Sequence, residues 1–259
     1  MITMPKRLPA RAAFTPIGPP EGRDPDVGAV ARRLGAKIVL SELAPPGSVE
    51  QYRRLAATLH HAQAQTGLKI VMVASAMPGE GKTLTATNLA LTLSESYRRK
   101  VLIIDADLRR PTMHQIFDIP NIAGLNEALT DADMLPPAFE LSPRLTLLPA
   151  GRPNPDPIGI LTSPKMRELV RSAGDGFDWV IVDTPPVGLL TDANLLAGMV
   201  DAVVMVIAAG KVSYRILQKS VEALGRERII GVVLNRAADA PFGHSYQYEG
   251  YYGAARPKS

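Results

Sequence analysis

The sequence predicts an α/β fold built around a doubly wound, mostly parallel sheet flanked by helices. Helical stretches separate six short apolar runs, and this alternation is typical of parallel sheets. Each run is rich in β-branched residues and apolar almost throughout, as in strands that are covered on both faces. The six runs are KIVMVAS, KVLIID, LTLLP, WVIVD, AVVMVIAA and IIGVVLN. Ligands of such sheets bind beyond the carboxyl ends of the strands, so functional residues are expected there.

Length and composition indicate a globular protein with a sizeable core. The chain has 259 residues, of which 46% are hydrophobic and 21% charged. The absence of cysteine excludes disulfides, thiolate metal sites and cysteine nucleophiles. The formal net charge of +4 weakly favours an acidic surface or a membrane as a neighbour. Neither a secretory signal nor a transmembrane helix is expected, because the best apolar stretch, LLAGMVDAVVMVIAAG, contains Asp201 and is shorter than the ~20 residues that a span needs.

The chain divides into three predicted parts. Residues 1–47 form a leader rich in Pro and Arg that is expected to be partly mobile, residues 48–239 form the α/β domain, and residues 240–259 form a flexible tail rich in tyrosine. The first helix is predicted to begin at Ser48, because SVEQ places a glutamine three residues after this serine, as in a capping box. Apolar residues at helical spacing then continue until Gly67.

A glycine-bearing loop follows the first predicted strand. AMPGEGKT, residues 76–83, matches the phosphate-binding pattern G-x-x-x-x-G-K-[ST] except that alanine replaces the first glycine. Such a loop turns backbone N–H groups toward phosphates, and the following helix N-terminus adds partial positive charge. A glycine-rich turn that only caps a helix is disfavoured by the strand–loop–helix context. The predicted nucleotide-binding residues of this segment are Gly79, Glu80, Gly81, Lys82, Thr83 and Leu84.

Carboxylates end two other predicted strands. KVLIID runs into DADLRRP, where Asp105 and Asp107 are two residues apart and would leave one side of an extended chain. WVIVD runs into DTPP, which places Asp183 at another strand end. Each pattern alone is weak, since such an aspartate can be a helix cap or a solvated charge. Together with Lys82, which would reach the β- and γ-phosphates, and Thr83, whose hydroxyl would join a magnesium ion, the three aspartates converge on one predicted triphosphate–metal site.

This combination resembles the bacterial tyrosine kinases of polysaccharide export, the BY-kinases, over about residues 48–252. The resemblance rests on SAMPGEGKT, VLIIDADLRRP, VIVDTPP and the C-terminal tyrosine cluster. LLPAGRPNPDPIGILTSPKM also resembles the family's segment between its second and third motifs. The resemblance implies a P-loop NTPase fold, with ATP and Mg²⁺ as cofactors. It further implies a protein-tyrosine kinase that regulates the polymerisation and export of an exopolysaccharide or capsule.

The resemblance assigns roles to individual residues. Lys82 and the loop would hold the phosphates. Thr83, Asp107 and Asp183 would bind magnesium directly or through water. Asp105 would accept the proton of the tyrosine hydroxyl, so that Lys82, Asp105 and Asp107 are the predicted catalytic residues.

The C-terminal end of the chain supplies the remaining predicted site residues. Asn235 and Arg236, at the end of IIGVVLN, are expected to contact the adenine by resemblance. The predicted phosphate acceptors are the four tyrosines of the tail, Tyr246, Tyr248, Tyr251 and Tyr252. A mobile tail can enter the active site of a neighbouring subunit, so self-association for trans-phosphorylation is expected. Each phosphotyrosine adds roughly −1.5 to −2 charge. Several of them would make the tail strongly acidic and repel it from neighbouring subunits, so phosphorylation is expected to loosen assembly.

The resemblance also implies a partner. The family works with a two-pass membrane protein that governs polysaccharide chain length and activates the kinase through a cytoplasmic segment. The expected location is therefore cytoplasmic and peripheral, at the inner face of the cell membrane, and no nucleic-acid partner is expected. The family's first helix usually carries E-x-x-R-x-x-R for ring assembly. Here Glu50 and Arg53 match, but Ala56 takes the place of the last arginine, which puts ring assembly in question.

Two alternatives remain open. One is a P-loop ATPase of the kind that positions chromosomes, plasmids or the division septum. Those proteins carry a lysine where this chain has Met77. The other is a nucleotide-binding scaffold without turnover, which would be expected to have lost Lys82, Asp105 or Asp183, yet all three are present.

Several other polar residues are predicted to have ordinary structural roles. Asp192 in LTDANLL is expected to be a helix N-cap. Arg109 and Arg110 are interpreted as a solvated pair, with an anionic ligand as the alternative. His60 and His61 are adjacent on a predicted helix and point to different faces, so they are not expected to form a metal pair.

Overall fold

The computed structural model describes residues 14–17 and 27–237, and the predicted tyrosine acceptors of the tail lie outside these ranges. The strands are β1 Thr15–Ile17, β2 Ile70–Ser75, β3 Val101–Asp105, β4 Pro137–Ser142, β5 Leu145–Leu148, β6 Trp179–Asp183, β7 Ala202–Ala208 and β8 Ile229–Asn235. The α-helices are α1 Val27–Leu34, α2 Pro46–Thr66, α3 Lys82–Leu91, α4 Met113–Phe117, α5 Leu125–Thr130, α6 Ile158–Leu161, α7 Pro164–Gly176, α8 Asp192–Ala197 and α9 Tyr214–Leu224.

The eight described strands form one sheet in the order β1-β4-β5-β3-β6-β2-β7-β8. Neighbouring strands are parallel except for β4 and β5, which are antiparallel. The predicted doubly wound, mostly parallel sheet is therefore confirmed, and the six predicted runs are β2, β3 and β5 to β8. Strands β1 and β4 were not predicted from the sequence. Strand β1 has only three residues, and β4 begins with a proline and carries Glu140 and Ser142.

The apolar runs are explained by burial on both faces of the sheet. Helices α7, α8 and α9 cover one face, and α1, α2 and α3 cover the other. Side chains of one strand alternate between the two resulting cores, because successive residues of a strand point to opposite faces. In β2, Met72 packs into the first core and Val71 into the second, and both are 0% exposed.

Helix α2 begins at Pro46, so the predicted start at Ser48 is wrong. Proline is favoured at the first helical position because its fixed φ suits the helix and its missing N–H needs no partner there. The N–H of Ser48 donates to the carbonyl of Pro45 at 2.9 Å, and the predicted capping box does not form. The helix ends at Thr66, and Gly67 adopts a left-handed conformation with φ of 76°, as predicted for a terminating glycine.

The position of the motif's last arginine is buried in this helix. Ala56 faces the core and is 0% exposed. Glu50 lies on the outer side of the same helix, where its carboxylate is 4.0 Å from the guanidinium of Arg53 and 3.7 Å from that of Arg54. The first two positions of the motif are thus accessible at the surface, whereas the third is part of the core.

Part of the predicted leader packs against the sheet domain. Strand β1 extends the sheet beside β4, and Ile38 is 0% exposed in the second core. The side chain of Asn88 on α3 accepts a bond from the N–H of Val39 at 3.0 Å and donates to the carbonyl of Lys37 at 2.8 Å. Packing of the described residues therefore begins before the predicted boundary at Ser48. None of the helices in the described ranges is long and apolar enough to cross a membrane.

Candidate active site

The predicted nucleotide loop lies where the sequence places it, between β2 and α3. Gly79 and Gly81 have φ angles of 77° and 97°, in the left-handed region that side chains rarely adopt. Gly81 is also closely approached, because a Cβ at this position would lie 2.0 Å from Nδ2 of Asn235. The loop then enters α3, whose first residue is Lys82. The first N–H groups of a helix carry partial positive charge, so this end of α3 favours phosphate.

Lys82 and Thr83 meet Asp183 at the end of β6. The Lys82 Nζ lies 2.6 Å from Asp183 Oδ1, and the Thr83 hydroxyl donates to Asp183 Oδ2 at 2.7 Å. Asp183 is 0% exposed and Lys82 is 7% exposed. The three residues that sequence reasoning assigned to phosphate and metal are thus in direct contact, with the carboxylate balancing the lysine charge and fixing the hydroxyl.

Asp105 ends β3 and is paired in register with Asp183 on the neighbouring strand β6. Its Oδ2 accepts the N–H groups of Thr112 and Met113 at 3.3 and 3.1 Å, and its Oδ1 accepts the N–H of Asp107 at 3.2 Å. The side chain is 1% exposed. Burial first, and then the charge of Asp183, raise the pKa of Asp105 to about 7, against the opposing effects of the Met113 N–H and Lys82. A carboxyl group with a pKa near neutrality suits proton transfer.

Asp107 is less enclosed than Asp105. It is half-buried, and its Oδ1 accepts the N–H of Arg110 at 3.1 Å. Burial raises the pKa of Asp107 above its ordinary value, and the charge of Lys82 opposes this effect. The two carboxylates of DADLRRP therefore differ, with one buried among backbone donors and the other accessible to a ligand.

Glu80 and Asn235 are in contact with each other. The Asn235 Nδ2 donates to the carbonyl of Glu80 at 2.7 Å, and the Asn235 Oδ1 accepts the N–H of Arg236 at 2.9 Å. The Glu80 side chain is 2% exposed and binds backbone N–H groups. Arg236 is exposed and Leu84 is partly buried against the second core. The predicted adenine contacts of Asn235 and Arg236 remain predictions.

Comparisons with known proteins place this geometry in a family. The family model for the CobQ/CobB/MinD/ParA nucleotide binding domain matches residues 71–247. The tyrosine-protein kinase YwqD of Bacillus subtilis is 38% identical over 208 residues, which cover 79% of this chain and 86% of YwqD. The chain belongs to the bacterial P-loop tyrosine kinases.

Solved structures agree with this assignment. The kinase domain of the Escherichia coli tyrosine kinase ETK matches the present kinase with a TM-score of 0.68 and 32% identity, covering 74% of this chain and 77% of that domain. The septum site-determining protein MinD of Pyrococcus horikoshii, complexed with Mg-ADP, matches with a TM-score of 0.52 and 22% identity, covering 67% of this chain and 72% of that one. The second likeness shows a shared fold only. The relatives of higher identity are tyrosine kinases, not positioning ATPases.

The residues of the kinase site fit magnesium. Magnesium prefers oxygen ligands and is usually held by one or two carboxylates together with substrate phosphates. The Thr83 hydroxyl and the carboxylates of Asp183 and Asp107 are donors of this kind. Among the described residues, no group of three or more His, Cys, Asp or Glu side chains is placed to hold a metal alone.

One ion pair of the kinase was missed by sequence reasoning. Arg109, in DADLRRP, binds Asp192 through two bonds, Nε to Oδ2 at 2.6 Å and Nη2 to Oδ1 at 3.2 Å, and also donates to the carbonyl of Pro155. Asp192 is 1% exposed and lies in the first turn of α8, with Thr191 as the N-cap. The predicted N-cap role of Asp192 and the solvated state of Arg109 are therefore both wrong. The pair joins the loop that carries Asp107 to α8.

Proposed function

We propose that this kinase transfers the γ-phosphoryl group of ATP, with Mg²⁺, to tyrosine hydroxyls of its own C-terminal cluster and thereby regulates the polymerisation and export of an exopolysaccharide or capsule. The observation that carries the proposal is the convergence of Lys82, Thr83 and Asp183 beside the nucleotide loop, with Asp105 on the adjacent strand. Family membership supports the kinase activity. The assignment of the tail tyrosines as phosphate acceptors and the role in polysaccharide export go beyond family membership and are part of the proposal.

Each residue of the site has a part in the transfer. The loop amides and Lys82 hold the phosphates, and Thr83, Asp107 and Asp183 supply the oxygen ligands for magnesium. A bound magnesium ion would neutralise charge on the phosphates, because the transition state of phosphoryl transfer is loose and depends on positioning and charge stabilisation. The tyrosine oxygen forms a bond to the γ-phosphorus, the bond from this phosphorus to the β–γ bridging oxygen breaks, and ADP leaves.

The proton of the tyrosine goes to Asp105 in this proposal. A phenol has a pKa near 10, so a carboxyl group whose pKa is about 7 lies roughly three units below it, which corresponds to roughly 4 kcal/mol. Proton transfer therefore follows the formation of the new O–P bond instead of preceding it. Because Asp105 is 1% exposed, the phenol reaches it only if the residues that cover its carboxylate move. Asp107 is the second candidate for the proton acceptor, because its carboxylate is more accessible than that of Asp105.

The position of β8 supports the tail as acceptor. β8 ends at Asn235, whose side chain contacts the nucleotide loop, so the chain leaves the described domain beside the site. The segment from residue 238 to residue 259 is outside the described structure. An extended chain spans up to roughly 3.5 Å per residue, so a segment of this length can reach the site of another subunit. We infer self-association of this kind as the route of trans-phosphorylation.

A membrane partner completes the proposal. The family works with a membrane protein that governs polysaccharide chain length, and we infer that its cytoplasmic segment activates this kinase and holds it at the inner face of the cell membrane. Family membership alone supports this inference. The mild basic charge of the chain, +4, is compatible with an anionic surface.

The tail tyrosines provide the test. The variant in which Tyr246, Tyr248, Tyr251 and Tyr252 are all changed to Phe is expected to lose most autophosphorylation with labelled Mg-ATP while its affinity for ATP is unchanged, because Phe lacks only the hydroxyl. Mixing this variant with Lys82→Met protein tests whether the tail reaches a neighbour. One protein then has a site without acceptors and the other has acceptors without a site. Labelling of the mixture that weakens on dilution supports transfer between subunits.

Two outcomes would contradict the proposal. Heavy labelling of the four-Phe variant would show that the acceptors lie elsewhere in the chain. Hydrolysis of ATP without any phosphotyrosine, even with the cytoplasmic segment of a candidate membrane partner added, would favour the positioning ATPase.

A further inference from the structure

Glu80 is a buried acidic side chain inside a loop that binds anions. The residue is 2% exposed. Its Oε2 accepts the N–H of Met77 at 2.6 Å, and its Oε1 accepts the N–H of Ala208 at 3.0 Å. Met77 lies three residues earlier in the same loop, and Ala208 is the last residue of β7. The carboxylate therefore connects the nucleotide loop to the end of a neighbouring strand.

These contacts separate Glu80 from the other predicted nucleotide-binding residues. Both of its oxygens are occupied by backbone donors, so neither is presented to a phosphate. A carboxylate close to a triphosphate also weakens binding through charge repulsion. An acidic residue in this loop must therefore contribute in another way if it favours nucleotide binding.

We propose that Glu80 is a positioning residue, which holds the nucleotide loop in its phosphate-binding shape by accepting the N–H groups of Met77 and Ala208. The inference rests on the nucleotide-binding part of the proposed function. If the carboxylate is lost, the buried N–H of Ala208 and the partly buried N–H of Met77 lack partners, and the loop shifts toward conformers in which water reaches them. Such conformers do not direct the loop amides at a phosphate. The apparent affinity for nucleotide then falls in proportion to the fraction of loops that remain competent.

The chain contains a matched control outside the nucleotide loop. The Glu127 Oε2 accepts the N–H of Gly124, three residues earlier, at 2.9 Å, and its Oε1 accepts bonds from the N–H of Arg152 at 3.1 Å and from Nδ2 of Asn126 at 3.4 Å. The backbone donors match those of Glu80, with one three residues earlier in the chain and one distant. Glu127 lies in α5, and none of its hydrogen-bond partners belongs to the nucleotide loop.

The test compares Glu80→Gln with Glu127→Gln in the full chain. Glutamine keeps the size of the side chain, but its NH₂ group faces one of the two backbone N–H donors. For Glu80→Gln we expect the dissociation constant of ADP, measured calorimetrically well below the melting temperature, to rise roughly tenfold. The KM for ATP should rise in parallel, while kcat at saturating ATP changes much less. Glu127→Gln is expected to lower the melting temperature and leave ADP affinity and KM unchanged.

The sign of the effect distinguishes positioning from charge. If Glu80 acted only as a negative charge, its neutralisation in Glu80→Gln would tighten ADP binding, so unchanged or tighter binding overturns the inference. Glu80→Asp keeps the carboxylate on a shorter stem and is expected to bind ADP with an affinity between those of the wild type and Glu80→Gln. Equal loss of ADP affinity in Glu127→Gln would also overturn the inference, because the effect would then be one of general stability. A wild-type protein that does not bind ADP would instead overturn the proposed function itself.

Discussion

The strands on the two sides of β2 contribute different chemistry to the nucleotide loop. On one side, β6 and β3 end in Asp183 and Asp105. We call these two residues and Asp107 the aspartate side. On the other side, β7 and β8 end in Ala208 and Asn235, which bind Glu80 through a backbone N–H and a side-chain amide and form the loop-fixing side. The aspartate side balances the charge of Lys82, whereas the loop-fixing side determines the shape of the loop.

This difference has consequences for mutation. Residues of the aspartate side act on phosphate, metal or proton, so their loss should reduce the rate of transfer and change its dependence on magnesium. Residues of the loop-fixing side act on the backbone, so their loss should weaken nucleotide affinity at any magnesium concentration. Variants on each side therefore test whether the two roles are separate.

The largest effect is expected from Lys82→Met. Without the positive charge of the lysine beside the phosphates, tyrosine phosphorylation should fall by roughly a hundredfold to a thousandfold or more. The variant should also melt at a lower temperature, because Asp183, which is 0% exposed, loses its ionic partner, and breaking a buried pair costs about 3–5 kcal/mol. Phosphotyrosine signal and a circular-dichroism melt measure the two effects.

The double variant Lys82→Met/Asp183→Asn is the control for Lys82→Met. It removes both charges of the pair, so it should recover much of the melting temperature without recovering activity. Full activity of Lys82→Met alone would show that the loop does not hold the phosphates.

The aspartate side is expected to divide into two roles. Asp183→Asn and Asp105→Asn should each reduce phosphoryl transfer by roughly a hundredfold. Higher magnesium should partly restore Asp183→Asn, because this residue contacts the hydroxyl that would bind the metal, and should not restore Asp105→Asn. Initial rates over a series of magnesium concentrations measure the difference. Equal recovery of both variants would contradict the division of roles.

A smaller effect is expected on the loop-fixing side from Gly81→Ala. Alanine is strained at a φ of 97°, and its Cβ would lie 2.0 Å from Nδ2 of Asn235. The dissociation constant of ADP should rise by roughly tenfold or more, since the strain and the overlap each correspond to about 1–3 kcal/mol. Adding Asn235→Ala removes the overlap and should recover part of the affinity. An additive loss in the double variant would mean that the overlap with Asn235 does not limit the affinity of Gly81→Ala.

The two sides also differ in how well the sequence predicts them. The nucleotide loop and the three aspartates were recognisable because residue type and local spacing identify them, and the sheet followed from apolar runs. The loop-fixing contacts leave no such signal, because the donor at Ala208 is a backbone N–H that lies 128 residues from Glu80. The partner of Arg109 is likewise 83 residues away. Short elements such as β1 depend on packing that local patterns do not contain. The start of α2 was mispredicted for a different reason, because the capping pattern at Ser48 was preferred to the proline at position 46.

The smallest effect is expected from Arg109→Lys, which tests whether the aspartate side depends on α8. Arginine binds Asp192 through two parallel bonds, and lysine keeps the charge but offers a single point contact. The loop that carries Asp107 should then be less well fixed, and the magnesium concentration for half-maximal transfer should rise severalfold. The change is small because only part of the roughly 1.5–3 kcal/mol of a charged hydrogen bond is lost. ADP affinity without magnesium should not change, because Arg109 makes no bond to the nucleotide loop. A lower melting temperature with an unchanged magnesium requirement would show that the ion pair only stabilises the fold. A loss of magnesium-free ADP affinity would show that the two sides of β2 are not separable.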